Sequence, residues 1–364
     1  MIHSTKIIDF IKNDLGNDTS LFNETPFYQN DIELKKGNLL FDLTVEELES
    51  IAKVKEDIIH LANSFCKVNT YEGIKQIQLH KYQEEYLTAQ KKYRFIVTMA
   101  ARQTGKTIME AIYCMSKILE GKKILLVNNN RDSGVEVLDK IKTIYRNLPF
   151  YMKPGVQAWN QTSVVFDNGA RVIAKGSSKG PALGYTFDLV YIDEAAHIPY
   201  NSFNDVYMMA FGQMLASSDG QLIVQSTPNG RNKFWEIYND AINGKNVFYP
   251  HRIDWWLVPG RDEAWKKAET MNLGSQELFD REYGLSFGNA PEEKKEEPEK
   301  KEDNPAKTTT GNTLELITER LARVEKMLEI QTGEGAPFFN REFILTKFMG
   351  LTPDDIQKLG LSPL

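Results

Sequence analysis

The stretch Met99-Ala100-Ala101-Arg102-Gln103-Thr104-Gly105-Lys106-Thr107 constrains the fold of this chain more than any other. An apolar run, Phe95-Ile96-Val97-Thr98, precedes it and reads as a buried strand, while Ile108 to Met115 follows and reads as a helix. Strand, turn, Gly-Lys-Thr and helix, in that order, is the context of a phosphate-binding P-loop. The chemistry follows from backbone geometry, because the N–H groups of the turn and of the helix start all point at the phosphate oxygens. In this reading Ala101, Gln103, Thr104 and Gly105 form the cradle. Lys106 reaches the β- and γ-phosphates of ATP, and the Thr107 hydroxyl ligates Mg²⁺. The common pattern has a glycine six residues before the lysine, where this chain has Ala100. Taken alone, a chance Gly-Lys-Thr at a helix start remains the alternative, and the rest of the chain decides between the two.

The 364 residues suffice for one large domain or two ordinary ones. The net charge is −6, and residues 291–364 account for most of it, with 11 Lys and Arg against 15 Asp and Glu. The near-neutral remainder does not advertise nucleic-acid binding, although a local basic patch suffices for it. Cys66 and Cys114 are far apart, lack metal-ligand spacing and read as core residues of a reduced, intracellular protein. No apolar run is long enough to span a membrane, so no membrane partner is expected. Asp9 interrupts the apolar pattern of the first twelve residues, which therefore do not read as a secretory signal.

Upstream of the loop, residues 1–42 read as a peripheral arm. Thr44 to Phe65 reads as a helix, with Thr44 and Glu47 as a capping box and Leu48, Ile51, Val54, Ile58 and Leu61 at helical spacing. Tyr82-Gln83 opens the next helix, just ahead of the loop strand. The amide of Gln83 matches the donor and acceptor of an adenine edge, and Tyr82 is placed to pack on base or ribose. A plain surface glutamine on an amphipathic helix is the competing reading. Downstream, Lys123 to Asn128 is a buried strand and Val135 to Leu148 a helix. Ser163 to Asp167 and Ala170 to Ala174 form a hairpin around Asn168-Gly169. Ser177 to Gly184 reads as a loop.

Phe187 to Ile192 is an apolar run that ends in Asp193-Glu194, 87 residues after Lys106. A parallel strand of that kind delivers carboxylates to the edge of the sheet where ligands bind. Asp193 then holds Mg²⁺ as the Walker B acid, and Glu194 orients and deprotonates the attacking water. Gln221 to Gly230 is a further strand ending in two hydroxyls, Ser226-Thr227, and a turn. Hydroxyls at a neighbouring strand tip are placed to report hydrolysis to the rest of the fold. Strands alternating with helices up to about residue 230 predict an α/β fold: a P-loop NTPase with a mostly parallel sheet flanked by helices. The aromatic-rich stretch 231–288 reads as helices forming a small second subdomain.

These four stretches, in this order, resemble the large terminase subunit of tailed bacteriophages, over about residues 43–288. The branch that the chain looks most like is that of the large contractile-tailed phages, on Leu138 to Pro154 and on Asn229-Gly230 with the aromatic helix that follows. The resemblance implies an ATPase that drives double-stranded DNA into the procapsid. It implies an adenine motif at Tyr82-Gln83, a cis-acting arginine at Arg102, Walker B and catalytic acids at Asp193 and Glu194, and a coupling motif at Ser226-Thr227. That motif is usually threonine-rich, and Gln225 and Ser226 depart from it. It further implies the portal protein and the small terminase subunit as partners, a homo-oligomeric ring on the portal, and residence in the host cytoplasm with a transient stay at the procapsid portal vertex. Arg131, Arg171 and Arg231 are unranked candidates for a contact in trans.

Family members usually continue into an RNase H-like nuclease. Here Pro291 to Asp303, with eleven charged residues of thirteen, reads as a solvated linker (289–312). Beyond it, 313–364 reads as a helical tail with a short heptad seam at Leu314, Ile317, Leu321, Val324 and Leu328. No nuclease activity is expected of this chain. Two other classes stay open: a helicase-like ATPase, which needs a second RecA-like lobe, and a non-catalytic assembly protein that keeps a nucleotide site, against which Lys106, Asp193 and Glu194 argue.

Overall fold

Strands that are apolar from end to end dictate the centre of this fold, because a strand covered by helices on both faces has no side to give to water. The computed structural model describes residues 25–39, 42–70, 72–177, 186–216 and 219–288. The expected linker and helical tail, the first 24 residues of the arm and most of the Ser177–Gly184 loop lie outside the described residues. In chain order the elements are helices α1 (Val45–Glu56) and α2 (Ile58–Phe65), a hairpin of β1 (Lys67–Thr70) and β2 (Gly73–Gln76), and α3 (Lys81–Lys92). Then come β3 (Phe95–Ala100), α4 (Lys106–Leu119), β4 (Lys123–Asn128), α5 (Arg131–Asn147), β5 (Val156–Trp159), β6 (Ser163–Phe166) and β7 (Arg171–Gly176). After these follow β8 (Leu189–Ile192), α6 (Tyr200–Ala216), β9 (Gln221–Ser226), α7 (Lys233–Ile242), β10 (Tyr249–Ile253), α8 (Glu263–Leu273) and α9 (Gln276–Glu282).

Eight of the strands form one sheet in the order β10-β3-β9-β8-β4-β7-β6-β5, parallel from β10 to β7 and antiparallel across β6 and β5. Every residue of β3, β8 and β9 is buried. Successive side chains alternate between faces. Ala100 joins the main core that side chains of α3 and α4 also form, whereas Phe95, at the opposite parity in the strand, packs edge-on against Phe211 of α6 at 5.4 Å. β9 and β8 lie between β3 and β4, with Met99 opposite Ser226 and Ile192 opposite Val224. The tips of the three strands that carry the loop, the hydroxyl pair and the acid pair are therefore adjacent.

Four local readings change. The helix expected from Thr44 to Phe65 has its capping box, but it breaks at Asp57. The Asp57 carboxylate accepts from the N–H groups of Ile59 and His60, 2.9 and 3.0 Å away, and starts α2. A cap of this kind is worth about 1 kcal/mol, enough to favour a new start over a continuous helix. The described part of the arm is not peripheral. Phe27 and Leu34 are buried, and Lys36 bridges Val156 in parallel, which covers the open edge of β5. Arg146 of α5 fastens the same segment through Asp31 at 2.9 Å and Glu33 at 2.7 Å. β5 was not anticipated, although the β6–β7 hairpin and its Asn-Gly turn were; Gly169 has φ +90. Finally, the 231–288 range is not helical throughout, since β10 is an edge strand of the main sheet beside β3. Its Pro250 lacks a donor, which an edge position tolerates.

Candidate active site

The loop after β3 is held from both sides. Gly105 has φ +83, a conformation that a side chain resists, and it starts α4 without a side-chain cap. The first turn of α4 thus offers its N–H groups outward. Thr104 is buried, and its hydroxyl donates to the Ala101 carbonyl at 3.0 Å. Ala101 N–H donates to Ile253 of β10 at 2.9 Å. Gln103 is left-handed, with φ 56. The cradle is therefore a fixed loop, ordered by backbone conformation and by the strand beside it.

Lys106 is 7% exposed, and its Nζ lies 3.1 Å from Glu194 Oε1. Glu194 directly follows Asp193 at the tip of β8 and is itself left-handed, at φ 50. That turn aims Glu194 toward the lysine. His197 lies three residues on, with Nε2 3.7 Å from Glu194 Oε2 and 3.0 Å from Thr227 Oγ1. Burial holds the His197 imidazole below its ordinary pKa, and the Glu194 carboxylate opposes that shift. Ser226 Oγ accepts from the Ala196 N–H at 3.0 Å. Both hydroxyls at the tip of β9 therefore contact the segment immediately after the acid pair.

Asp193 is 4% exposed, and its carboxyl is pushed up to about 6 by burial and by the neighbouring Glu194 charge, with Lys106 opposing. Among the described residues no group of three or more His, Cys, Asp or Glu is placed to hold a metal. One carboxylate, Asp193, and one hydroxyl, Thr107, are nonetheless a donor set that fits Mg²⁺, which binds through one or two protein oxygens and completes its shell with phosphate and water.

Two predicted groups stand differently from expectation. Tyr82 and Gln83 brace the loop: Tyr82 OH donates to Thr104 O at 2.9 Å, and Gln83 Nε2 to the same oxygen at 3.3 Å. Gln83 Oε1 accepts from the His80 N–H at 3.0 Å, so both ends of its amide already have protein partners. Arg102 is not gathered with Lys106 and Glu194. Its Nε lies 2.6 Å from Glu282 Oε2 at the end of α9, with the arginine side chain 59% exposed.

Several contributors escaped the sequence reading. Arg261, ahead of α8, donates to Arg102 O at 3.0 Å, to Gln103 O at 3.3 Å and to Gln103 Oε1 at 3.2 Å. Its guanidinium rests over the rings of Trp265, 4.6 Å away, and Tyr283. Glu282 also accepts from the Arg102 N–H through its backbone carbonyl, at 3.0 Å. Glu110, on the second turn of α4, is fully buried. Gln225, also fully buried, lies on β9 beside Asp193. The only signals for the last two were polar letters inside apolar runs; for Arg261 there was none.

Residues 97–315 match the family described as terminase large subunit, T4likevirus-type, N-terminal. The terminase large subunits of Thermus phage G20c and Thermus virus P23-45 are 29% and 30% identical to this chain over 141 residues. That alignment takes in 33% of this chain and 28% of each relative, so the chain spans well under half of their length. The crystal structure of the HK97 bacteriophage large terminase shares the fold at a TM-score of 0.53 and 18% identity, over 64% of this chain and 54% of that one. Since the family match extends over more than half of its residues, this chain belongs to the terminase large subunits of the T4likevirus type, through their N-terminal region.

Proposed function

We propose that this chain is an Mg²⁺-dependent ATPase that powers phage DNA packaging, moving double-stranded DNA into a procapsid. The observation that carries the reading is the Lys106–Glu194 contact of 3.1 Å, made between a phosphate-binding loop and the tip of a parallel strand. In the ATP-bound state the phosphates occupy the start of α4, where backbone N–H groups face them. Lys106 then leaves Glu194 for the β- and γ-oxygens. Glu194, freed, accepts the proton of the attacking water. Thr107 and Asp193 would hold Mg²⁺, which would supply neutralisation of the phosphate charge. For Arg102 to reach the transferred phosphoryl group it must leave Glu282. Glu282 is itself largely buried, and Arg281 Nε, 3.1 Å from its Oε1, keeps the carboxylate paired when Arg102 departs.

Ser226 and Thr227 are the coupling elements in this reading. They touch Ala196 and His197, and a shift of Glu194 on hydrolysis therefore reaches β9 directly. The proposed partners are the portal protein, double-stranded DNA and the small terminase subunit, with the chain assembled as a homo-oligomeric ring at the procapsid portal vertex in the host cytoplasm.

The test is steady-state ATP hydrolysis by wild type and Glu194→Gln, at rising protein concentration, beside equilibrium ATP binding. Loss of a general base lowers turnover by about 10²–10⁴-fold, while ATP binding persists. Specific activity that climbs with concentration supports a ring whose sites are completed by a neighbour. Full turnover in Glu194→Gln overturns the catalytic assignment.

A further inference from the structure

Behind the loop, out of reach of water, one side chain joins the elements of the site. Gln225 is fully buried on β9, and both faces of its amide are used. Nε2 donates to Asp193 Oδ1 at 2.9 Å and to Glu110 Oε2 at 3.1 Å. Oε1 lies 3.0 Å from the hydroxyls of both Tyr86, on α3, and Tyr191, on β8. The two hydroxyls are 3.1 Å apart, and Tyr191 also accepts from Gln90 Nε2 at 2.8 Å.

We propose that Gln225 is the positioning residue of the metal-holding carboxylate: it sets the angle at which Asp193 meets a nucleotide-bound Mg²⁺, and Tyr86 and Tyr191 set Gln225. This rests on the ATPase reading above and assigns that site a part it did not have.

The argument is one of hydrogen-bond capacity. A glutamine amide has two N–H donors and two acceptor positions. Here the two donors meet two carboxyl groups, and the carbonyl meets two hydroxyls. The opposite orientation of the amide sets a carbonyl oxygen against the Asp193 carboxylate, which has no proton to give it when ionised, so the observed orientation is the favoured one. No other side chain of this length offers this set. A glutamate brings a third carboxylate to Asp193 and Glu110, and a methionine of similar length donates nothing. Gln225 is therefore held in place, and Asp193 Oδ1 is pinned.

Such pinning matters for Mg²⁺ in particular. The ion demands near-ideal octahedral geometry at short distances, so a carboxylate that can rotate binds it poorly. Groups that orient a metal ligand typically change metal affinity about 10–100-fold when lost. The elements that converge on Gln225 also explain its place. Glu110 comes from the helix that begins at the loop, and Asp193 from the acid strand. Tyr86 comes from the helix whose Gln83 braces Thr104.

The test measures binding, not turnover. A fluorescent ADP is titrated against wild type, Gln225→Met and Tyr86→Phe, once with excess Mg²⁺ and once with chelator, and the thermal midpoint of each protein is recorded. In Gln225→Met, Kd for Mg-ADP rises about 10–100-fold while Kd for metal-free ADP stays at the wild-type value. Tyr86→Phe, which removes one of the two anchors, shows the same selectivity at smaller amplitude and decides the matter if Gln225→Met fails to fold. A loss of equal size with and without metal marks a merely structural residue and overturns the proposal, as does an unchanged Mg²⁺ dependence. Wild type that binds ADP equally with and without Mg²⁺ overturns the metal assignment itself, and that failure is visible before any variant is compared.

Discussion

His251 gives the clearest test of how burial sets the acid stability of this fold. Its ring stacks on Tyr86, with 5.0 Å between centroids and 22° between planes. Burial pushes the imidazole down from 6.5 to about 4, and no facing carboxylate offsets it. The folded protein therefore keeps His251 neutral where the unfolded chain takes up a proton. Between pH 6.5 and about 4 the unfolded state binds more protons, so stability falls as the pH falls. At ~1.4 kcal/mol per unit, the full gap amounts to ~3 kcal/mol, with ~1.4 kcal/mol of it already lost at pH about 5.5. The ring is not wholly enclosed, and screening by water reduces that share to ~1 kcal/mol. Asp193 acts in the opposite sense. Its carboxyl is raised from 3.8 to about 6, so the folded state is the one that takes up the proton in that window. The raw pH dependence of the wild type mixes the two, and a difference measurement separates them. In His251→Phe, which keeps an aromatic ring against Tyr86, urea unfolding is measured at pH about 7.5 and about 5.5. On acidification the variant gains ~1 kcal/mol relative to wild type. A variant-minus-wild-type difference that is the same at both pH values refutes the reasoning.

Two further substitutions probe the cradle. Gly105→Ala places a Cβ 2.8 Å from Gln83 Nε2 at a residue with φ +83, so the loop must distort. ADP affinity is expected to fall by about tenfold, the equivalent of 1–2 kcal/mol of left-handed strain; an unchanged Kd by calorimetry counts against it. Arg261→Ala removes three hydrogen bonds to the loop residues Arg102 and Gln103. The expected outcome is about tenfold weaker ADP binding, from bonds of about 0.5–1.5 kcal/mol each, and Arg261→Lys does not restore it because an ammonium lacks the planar fork.

What the sequence made legible was whatever one segment settles by itself. β3, β4, β8 and β9 are buried on both faces, so their apolar runs announce them, and the Gly-Lys-Thr turn and the Asp-Glu pair lie at the ends of such runs. β10 reads Tyr-Pro-His-Arg-Ile, with neither a continuous apolar run nor a strand's alternation, because an edge strand with one neighbour is under no obligation to be apolar. Asp57 was read through as helix, since Ile58 and Leu61 continue the spacing of Leu48 to Val54; only the turn of its carboxylate onto two N–H groups shows that the helix restarts there.

The same distinction runs through the site. A loop's own conformation decides which of its atoms face a ligand, so Lys106, Asp193 and Glu194 could be named from short motifs. The residues that hold those groups in place answer to a different constraint. Arg261 lies 158 residues from Gln103, and nothing near it in the chain records that a guanidinium is needed there. Gln225 is the intermediate case. A glutamine after Leu222-Ile223-Val224 violates the pattern of a buried strand, and a buried amide is costly unless each of its polar atoms is satisfied. The violation was visible in the sequence, but its compensation was not. That compensation comes from Glu110 on α4, Tyr86 on α3, and Tyr191 and Asp193 on β8 and at its tip. A polar residue placed where only an apolar one is locally sensible therefore marks a point where the tertiary structure supplies partners. In this chain that point lies directly behind the carboxylate proposed to hold the metal.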